Sequence, residues 1–252
     1  MKMTTHQNLP AADARSRILS VALKLFAEQG FKKTSIRDIA KHSEANIASV
    51  SYYFGDKQGL YRAAFTEPLE ACGSHGPESG AMATAMREIA NRIGNSKVPL
   101  ELPLLEVFRI FYATFLAPLT RGEEMKYVMK LHFREMLEPT GLWNEVIEHE
   151  IEPDHQLMLK LLLKELGLKK VDIDVQRLAI TLVGMGVHYF VAQDVIAKIS
   201  PAVVGNAKAI EQLADRLALY AVGMVAAEKQ RRAGETSTIN DVRKDVKKDG
   251  RR

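Results

Sequence analysis

Cysteine occurs once in the 252-residue chain, at position 72, so no intramolecular disulfide can form and a cysteine-ligated structural zinc site is excluded. The fold must stand on packing. No run approaches eighteen uninterrupted apolar residues, and no basic segment followed by an apolar one opens the chain. Neither a membrane span nor a signal peptide is expected, which points to the cytoplasm. The apolar–polar alternation of strands is missing, and so are internal repeats. Catalytic signatures are missing too: there is no Gly-rich phosphate loop, no nucleophile elbow and no carboxylate pair, since Glu123-Glu124 beside Gly122 reads as a solvated loop. An all-α enzyme is the disfavoured alternative, and no cofactor is expected. His149 and His155 lack the compact helical spacing of metal ligands, so no metal site is expected either.

What is present is a composition 46% apolar and 26% charged, enough to bury the core of one or two domains. Charge is unevenly placed. Residues 1–65 carry ten Lys/Arg against five Asp/Glu, residues 66–227 carry sixteen against twenty-one, and residues 228–252 carry nine against five. The ends are basic and the middle acidic, so a polyanion such as DNA is drawn to the ends.

Between Arg15 and Gln29, Ile18, Leu19, Ala22, Leu25 and Phe26 share one helical face, and Gly30 supplies a stop. Ser35 followed by Asp38 reads as a capping box opening a short helix with Ile36, Ile39 and Ala40 inward. Ser43-Glu44-Ala45 is then a turn of helix-turn-helix length, and Asn46 is a suitable N-cap for a third helix. Ala45 and Val50 take the positions of a hydrophobic staple, with Val50, Tyr53 and Phe54 turned inward. The opposite face holds Ile47, Ala48, Ser49, Ser51 and Tyr52. Small residues and hydroxyls allow close approach to base edges or phosphates, and Ile47 and Ala48 suit thymine methyls. Periodicity alone leaves open an ordinary three-helix bundle with a solvated face.

The stretches Thr34-Ser35-Ile36-Arg37-Asp38-Ile39-Ala40 and Val50-Ser51-Tyr52-Tyr53-Phe54-Gly55-Asp56-Lys57-Gln58-Gly59-Leu60 resemble the TetR-family DNA-binding signature over about residues 13–62. The resemblance implies that Ser35 and Arg37 approach the DNA backbone or groove edge, that Ile47, Ala48, Ser49 and Ser51 face bases, and that Tyr52, Tyr53 and Lys57 meet phosphates; Thr34 and Asn46 complete the expected DNA-binding set. Two positions depart from the pattern. The family commonly has Gly where this chain has Glu44, and a left-handed non-Gly residue costs about 1–3 kcal/mol, so a wider turn is expected here. Tyrosine is common where Ser51 stands, so one contact is expected to weaken or pass to water.

Beyond Leu60 the chain reads as helix throughout, and the fold class is all-α: an N-terminal three-helix DNA-binding domain followed by a helical effector-binding and dimerisation domain. The expected divisions are a flexible arm at 1–12, the helix-turn-helix at 13–62, the helical domain at 63–231 and a charged, disordered tail at 232–252, the tail being free for weak attraction to DNA. Gly73-Ser74-His75-Gly76-Pro77 breaks the first body helix, Pro118 and Pro139 mark later ends, and Asp154 is placed to cap a helix carrying Leu157 to Leu163. Helices at about 174–199 and 207–231 are long and apolar on more than one side, with Gly184 and Gly186 where backbones approach closely. Pattern alone allows a buried hairpin. The resemblance implies a homodimer bundle instead, reading an inverted-repeat operator in double-stranded DNA. Lys130 to Thr140, followed by Glu152-Pro153, resembles the C-terminal domain of the CecR-like subgroup, with Phe133 a departure.

An effector pocket, mostly apolar with a few polar anchors, would draw on Phe108, Phe111, Tyr112, Met129, His132, Phe133, Trp143, Met185, His188 and Tyr189. Each of these equally suits plain core packing. The expected function is a transcription regulator, a repressor released from its operator by a largely apolar small molecule. Activators and architectural proteins share the helix-turn-helix.

Overall fold

A computed structural model describes residues 11–70, 81–94 and 104–249. The expected N-terminal arm lies almost wholly outside these residues, as do Cys72 and the break at Gly73 to Pro77. The described chain is helical: α1 (Ala11–Lys33), α2 (Ile36–His42), α3 (Ile47–Phe54), α4 (Lys57–Glu70), α5 (Ala81–Gly94), α6 (Leu104–Leu116), α7 (Glu123–Leu137), α8 (Leu142–Val146), α9 (Glu152–Leu166), α10 (Ile173–Val191), α11 (Gln193–Ile199) and α12 (Ala207–Asp249). Short 3-10 turns follow α6 and α11, and a π-helical turn, Ile147–Ile151, joins α8 to α9.

The chain forms two compact units, and the division is not at residue 62. One unit holds residues 1–80 together with 118–151, and the other holds 81–117 with 152–252. A cut after Arg62 would fall inside α4. It would also remove α7, whose Met125, Val128 and Leu131 are buried in the same cluster as Ile18, Phe26, Ile39, Val50, Leu60 and Phe65. At about 1.5–3 kcal/mol for each fully buried aliphatic side chain, these three contribute roughly 5–9 kcal/mol, comparable with the net stability of a small domain. The helix-turn-helix therefore shares its core with α7.

In the second unit α12 lies along α6. Ile210, Ala214, Leu217, Ala218, Ala221 and Val225 form the buried stripe of α12, whose small residues let its backbone lie close to α6. The Tyr112 hydroxyl donates to the Leu182 carbonyl of α10 at 2.7 Å, and burial raises its pKa. Asp154 does not cap α9, which already begins at Glu152; its carboxylate accepts from the backbone N–H groups of Met82 and Ala83 (3.1 and 2.8 Å) and so caps α5. The expected helix over 174–199 is broken at Ala192, where α10 and α11 meet with a bend of 71°. Val191, Val195 and Ile199 keep one phase across the break, so periodicity carries no mark of it. Helix α12 continues to Asp249, through the stretch whose composition predicts disorder, and Arg232 at its expected start is tied to Asp172 and Glu228. Among the described residues no single helix is long and apolar enough to cross a membrane.

Candidate nucleic-acid interface

Helix α3 is placed by its ends and its inner face. Asn46 Oδ1 accepts from the Ser49 N–H at 2.6 Å, closing the N-terminus, and Val50 is buried against α1 and α2 while Tyr53 and Phe54 pack at the edge of that core. The preceding turn is closed by backbone hydrogen bonds. Glu44 sits at φ +53°, the Ala45 N–H reaches the Ala40 carbonyl at 2.9 Å and the Glu44 N–H reaches Lys41 at 3.4 Å, which is a Schellman closure with a left-handed residue at its centre. Arg17 Nε donates to the Ser43 carbonyl (3.2 Å) and secures the turn to α1. The core contact of Val50 and the cap of Asn46 fix the angle at which α3 leaves the turn, and the backbone strain at Glu44 is the cost of that geometry.

The outward face of α3 carries Ile47 (48% exposed), Ala48, Ser51 and Tyr52 (83% exposed). Ser49 is half-buried, and its hydroxyl donates to Asn46 Oδ1 (2.9 Å), so towards solvent it offers lone pairs and would accept from an adenine or cytosine amino group. Asn46 is engaged as the cap, with its Oδ1 already accepting twice. Arg37 is exposed on α2, and Ser35 caps that helix, accepting from the Asp38 N–H and donating to Asp38 Oδ2 (2.6 Å). Thr34 is different. It is 1% exposed, and its hydroxyl donates to the Gly30 and Leu25 carbonyls (2.9 and 3.2 Å), so its side chain closes the end of α1 and does not face a groove. Tyr53 is half-buried, its ring 5.1 Å from that of Tyr52. The Lys57 ammonium lies 4.4 Å over the Phe31 ring, and partial burial lowers its pKa.

The ten effector candidates divide between the units. Phe108, Phe111 and Tyr112 are core of the second, where Met185 and Tyr189 are half-buried and His188 is exposed. Met129 and Trp143 pack against the core of the first, His132 stacks on Phe65 at 3.7 Å, and Phe133 is half-buried. Two surface clefts have other linings: one of about 630 Å³ is bounded by Leu105, Arg109, Val203, Leu213, Arg216 and Leu219, and one of about 760 Å³ by Gln29, Phe31, Lys33, Tyr61, Arg134 and Leu137. His149 Nδ1 donates to the Glu145 carbonyl one helical turn back (2.9 Å), and His155 Nε2 pairs with Gln176 Oε1 (3.0 Å). Among the described residues no three His, Cys, Asp or Glu side chains converge.

Sequence reasoning passed over Glu135, a buried carboxylate bonded to Tyr61, and Arg134, which donates to carbonyls of α1. A signal for the first was present, because Val128, Leu131 and Glu135 fall on one stripe of α7 with an acid where an apolar residue belongs.

Comparison with known proteins agrees with this geometry. Residues 18–64 match the family described as bacterial regulatory proteins, tetR family, and residues 104–225 match the C-terminal domain of the HTH-type transcriptional dual regulator CecR. The chain is 28% identical to the dual regulator CecR of Shigella flexneri over 149 residues, 59% of this chain and 63% of that protein. With the HTH-type transcriptional regulator AcrR of Shigella flexneri it shares 39% over 51 residues, 20% of this chain and 24% of that one. The chain thus spans less than two thirds of the length of these curated relatives. Among solved structures, a protein of Pseudomonas aeruginosa PAO1 described as a transcriptional regulator superposes with a TM-score of 0.56 at 13% identity, covering 89% of this chain and 96% of that one. The superantigen pfit superposes at 0.51 with 16% identity, covering 84% and 90%. These likenesses show the fold. The two sequence matches lie in chain order on the helix-turn-helix and on the helices that follow it, and the protein belongs to the TetR family of regulators, with a CecR-type C-terminal domain.

Proposed function

We propose that this protein is a sequence-specific DNA-binding transcription regulator, a repressor that leaves its operator when a largely apolar small molecule binds. The observation that carries the reading is α3: a capped helix held by Val50, presenting Ile47, Ala48, Ser51 and Tyr52 to solvent, with Lys57 and Arg37 beside it. Ile47, Ala48, Ser49 and Ser51 read base edges, while Tyr52, Tyr53, Lys57, Arg37 and the N-terminus of α2 at Ser35 meet phosphates. Selection of bound fragments from genomic DNA, followed by footprinting, tests this. An inverted repeat with half-sites roughly 34–36 Å apart, or a multiple, is expected for a two-fold protein.

Homodimerisation through α10 and α12 is supported by apolar side chains left in solvent. Ile173, Ile180 and Val191 share a face of α10 with Gly184, and Leu219, Tyr220 and Ala227 share a face of α12 with Gly223. Regulators of this family act as dimers and bind small-molecule effectors. Sedimentation at micromolar concentration tests the dimer, and a monomer that still binds a full operator tightly would refute it. The effector is sought among apolar compounds by the thermal shift it produces, with the ten aromatic, methionine and histidine positions above as the starting pool for substitution.

A further inference from the structure

Two adjacent side chains of α7 reach different parts of the helix-turn-helix. Arg134 donates from Nε to the Ala27 carbonyl (3.3 Å) and from Nη2 to the Glu28 carbonyl (3.1 Å), acceptors left open where Gly30 turns the chain out of helix. A side chain at Gly30 would press on this guanidinium, since a Cβ there would stand 3.1 Å from Arg134 Nη1. Glu135 is 0% exposed, the one charged side chain so completely buried among the described residues. A carboxylate is costly to bury unless its oxygens are satisfied. Here Oε1 accepts from the Thr140 N–H and hydroxyl (2.7 and 2.9 Å), and Oε2 accepts from the Tyr61 hydroxyl (2.6 Å).

The contacts run on from there. The Tyr61 ring stands edge-on to Phe31 with centroids 5.0 Å apart, and the Lys57 ammonium lies 4.4 Å over the same Phe31 ring. An unbroken series thus leads from α7 to the first residue of α4. A lysine on its four-carbon stem samples many rotamers when free, and a cation resting on a fixed aromatic face has fewer to lose when it meets a phosphate. Fixing the ring fixes the charge.

We propose that Glu135 is a positioning residue for DNA binding, acting through Tyr61 and Phe31 to hold the Lys57 ammonium where a backbone phosphate arrives. The proposal rests on the reading of Lys57 as a phosphate contact. Its consequence is that α7, which lies in the segment matched by the CecR-type C-terminal domain, sets the state of a side chain in the segment matched by the DNA-binding family.

The test uses the full-length protein, a random-sequence DNA duplex as probe, and the variants Lys57→Ala, Glu135→Gln, Tyr61→Phe and the double variant Lys57→Ala/Glu135→Gln. Lys57→Ala reads the contact itself, and is expected to weaken binding and lower the salt slope by about one. Glu135→Gln is expected to weaken binding about three- to tenfold with Lys57 present and less than about twofold once Lys57 is alanine, because coupled sites are not additive. Carbon-13 methylation of the lysines supplies a second readout: the Lys57 methyl resonance, displaced by the Phe31 ring current, is expected to move towards that of a free lysine in Glu135→Gln. Tyr61→Phe keeps the ring, removes the bond to Glu135 and should move the resonance the same way, so a misfolded Glu135→Gln leaves the proposal testable. Equal losses in both backgrounds, or an unmoved Lys57 resonance in the folded variants, overturn the proposal while leaving Lys57 a phosphate contact. A Lys57→Ala variant that binds like the wild type overturns the phosphate reading, and the proposal with it.

Discussion

Glu44→Gly should make the first unit more stable, although it deletes a side chain. The residue stands at φ +53°, inside the Schellman closure between α2 and α3, where an L side chain crowds the backbone. Left-handed non-Gly residues cost about 1–3 kcal/mol, and replacement by glycine returns that, less about 0.5–1 kcal/mol for the greater backbone freedom glycine has when unfolded. Glu44 is exposed, so little packing is forfeited. The net expectation is a gain of about 1 kcal/mol, a rise of roughly 2–4 °C in melting temperature for a chain of this size. Urea and thermal unfolding of wild type, Glu44→Gly and Glu44→Ala measure it. Alanine removes the same carboxylate but keeps a Cβ, so it should not share the gain. If alanine and glycine are equally stable, the turn is not strained in solution and the Schellman reading is refuted.

Lys57→Ala and Tyr52→Phe should weaken binding to an operator and to a scrambled duplex alike, whereas changes at Ser49 or Ser51 should alter base preference at about 1–3 kcal/mol per lost contact; equal losses on both duplexes for the serines would reverse their assignment. Gly184→Leu should yield monomers in sedimentation, since a Cβ there meets nothing within 4 Å among the described residues and is placed to obstruct a partner, while Gly186→Leu should lower folding stability instead, because a Cβ there would stand 2.7 Å from the Phe115 ring; a folded monomer from Gly186→Leu would contradict that packing. Asp172 accepts from Arg232 (2.7 and 2.9 Å) and from the N–H groups at the start of α10, which together hold its pKa well below the usual carboxylate range. Its stabilising contribution is therefore present above the unfolded carboxylate pKa of about 3.9 and lost as pH falls towards the folded value, so the acid unfolding curve of Asp172→Asn should be flatter over that window; an unchanged curve would show that the bond does not form in solution.

The local grammar of this chain was legible without coordinates. Ser35 and Asn46 cap helices because their short oxygens reach the N–H three residues on, and Gly30 kinks α1 because glycine adopts φ +82° freely. Those are interactions between near neighbours, so spacing records them. The apolar stripes of α1 to α4 likewise named the inward faces, and the outward face of α3 follows by subtraction. Spacing and resemblance also overreached where a side chain bonds to a group that the helical pattern does not single out. Thr34 looks like a groove-edge hydroxyl until the Leu25 and Gly30 carbonyls claim it, and Asp154 looks like the cap of its own helix until Met82 and Ala83 present their N–H groups.

What the order of residues determined by itself is therefore the helical class, the helix-turn-helix and the outward face of α3. Only the tertiary structure decided that α7 completes the core of that helix-turn-helix, that Gly186 closes on Phe115 while Gly184 stays open, and that Glu135 reaches Tyr61 from 74 residues away. Helical periodicity says which side of a helix is buried but not what buries it, because any apolar face satisfies the same hydrophobic demand; the choice among faces is made by shape and by the few buried polar groups that accept a single partner.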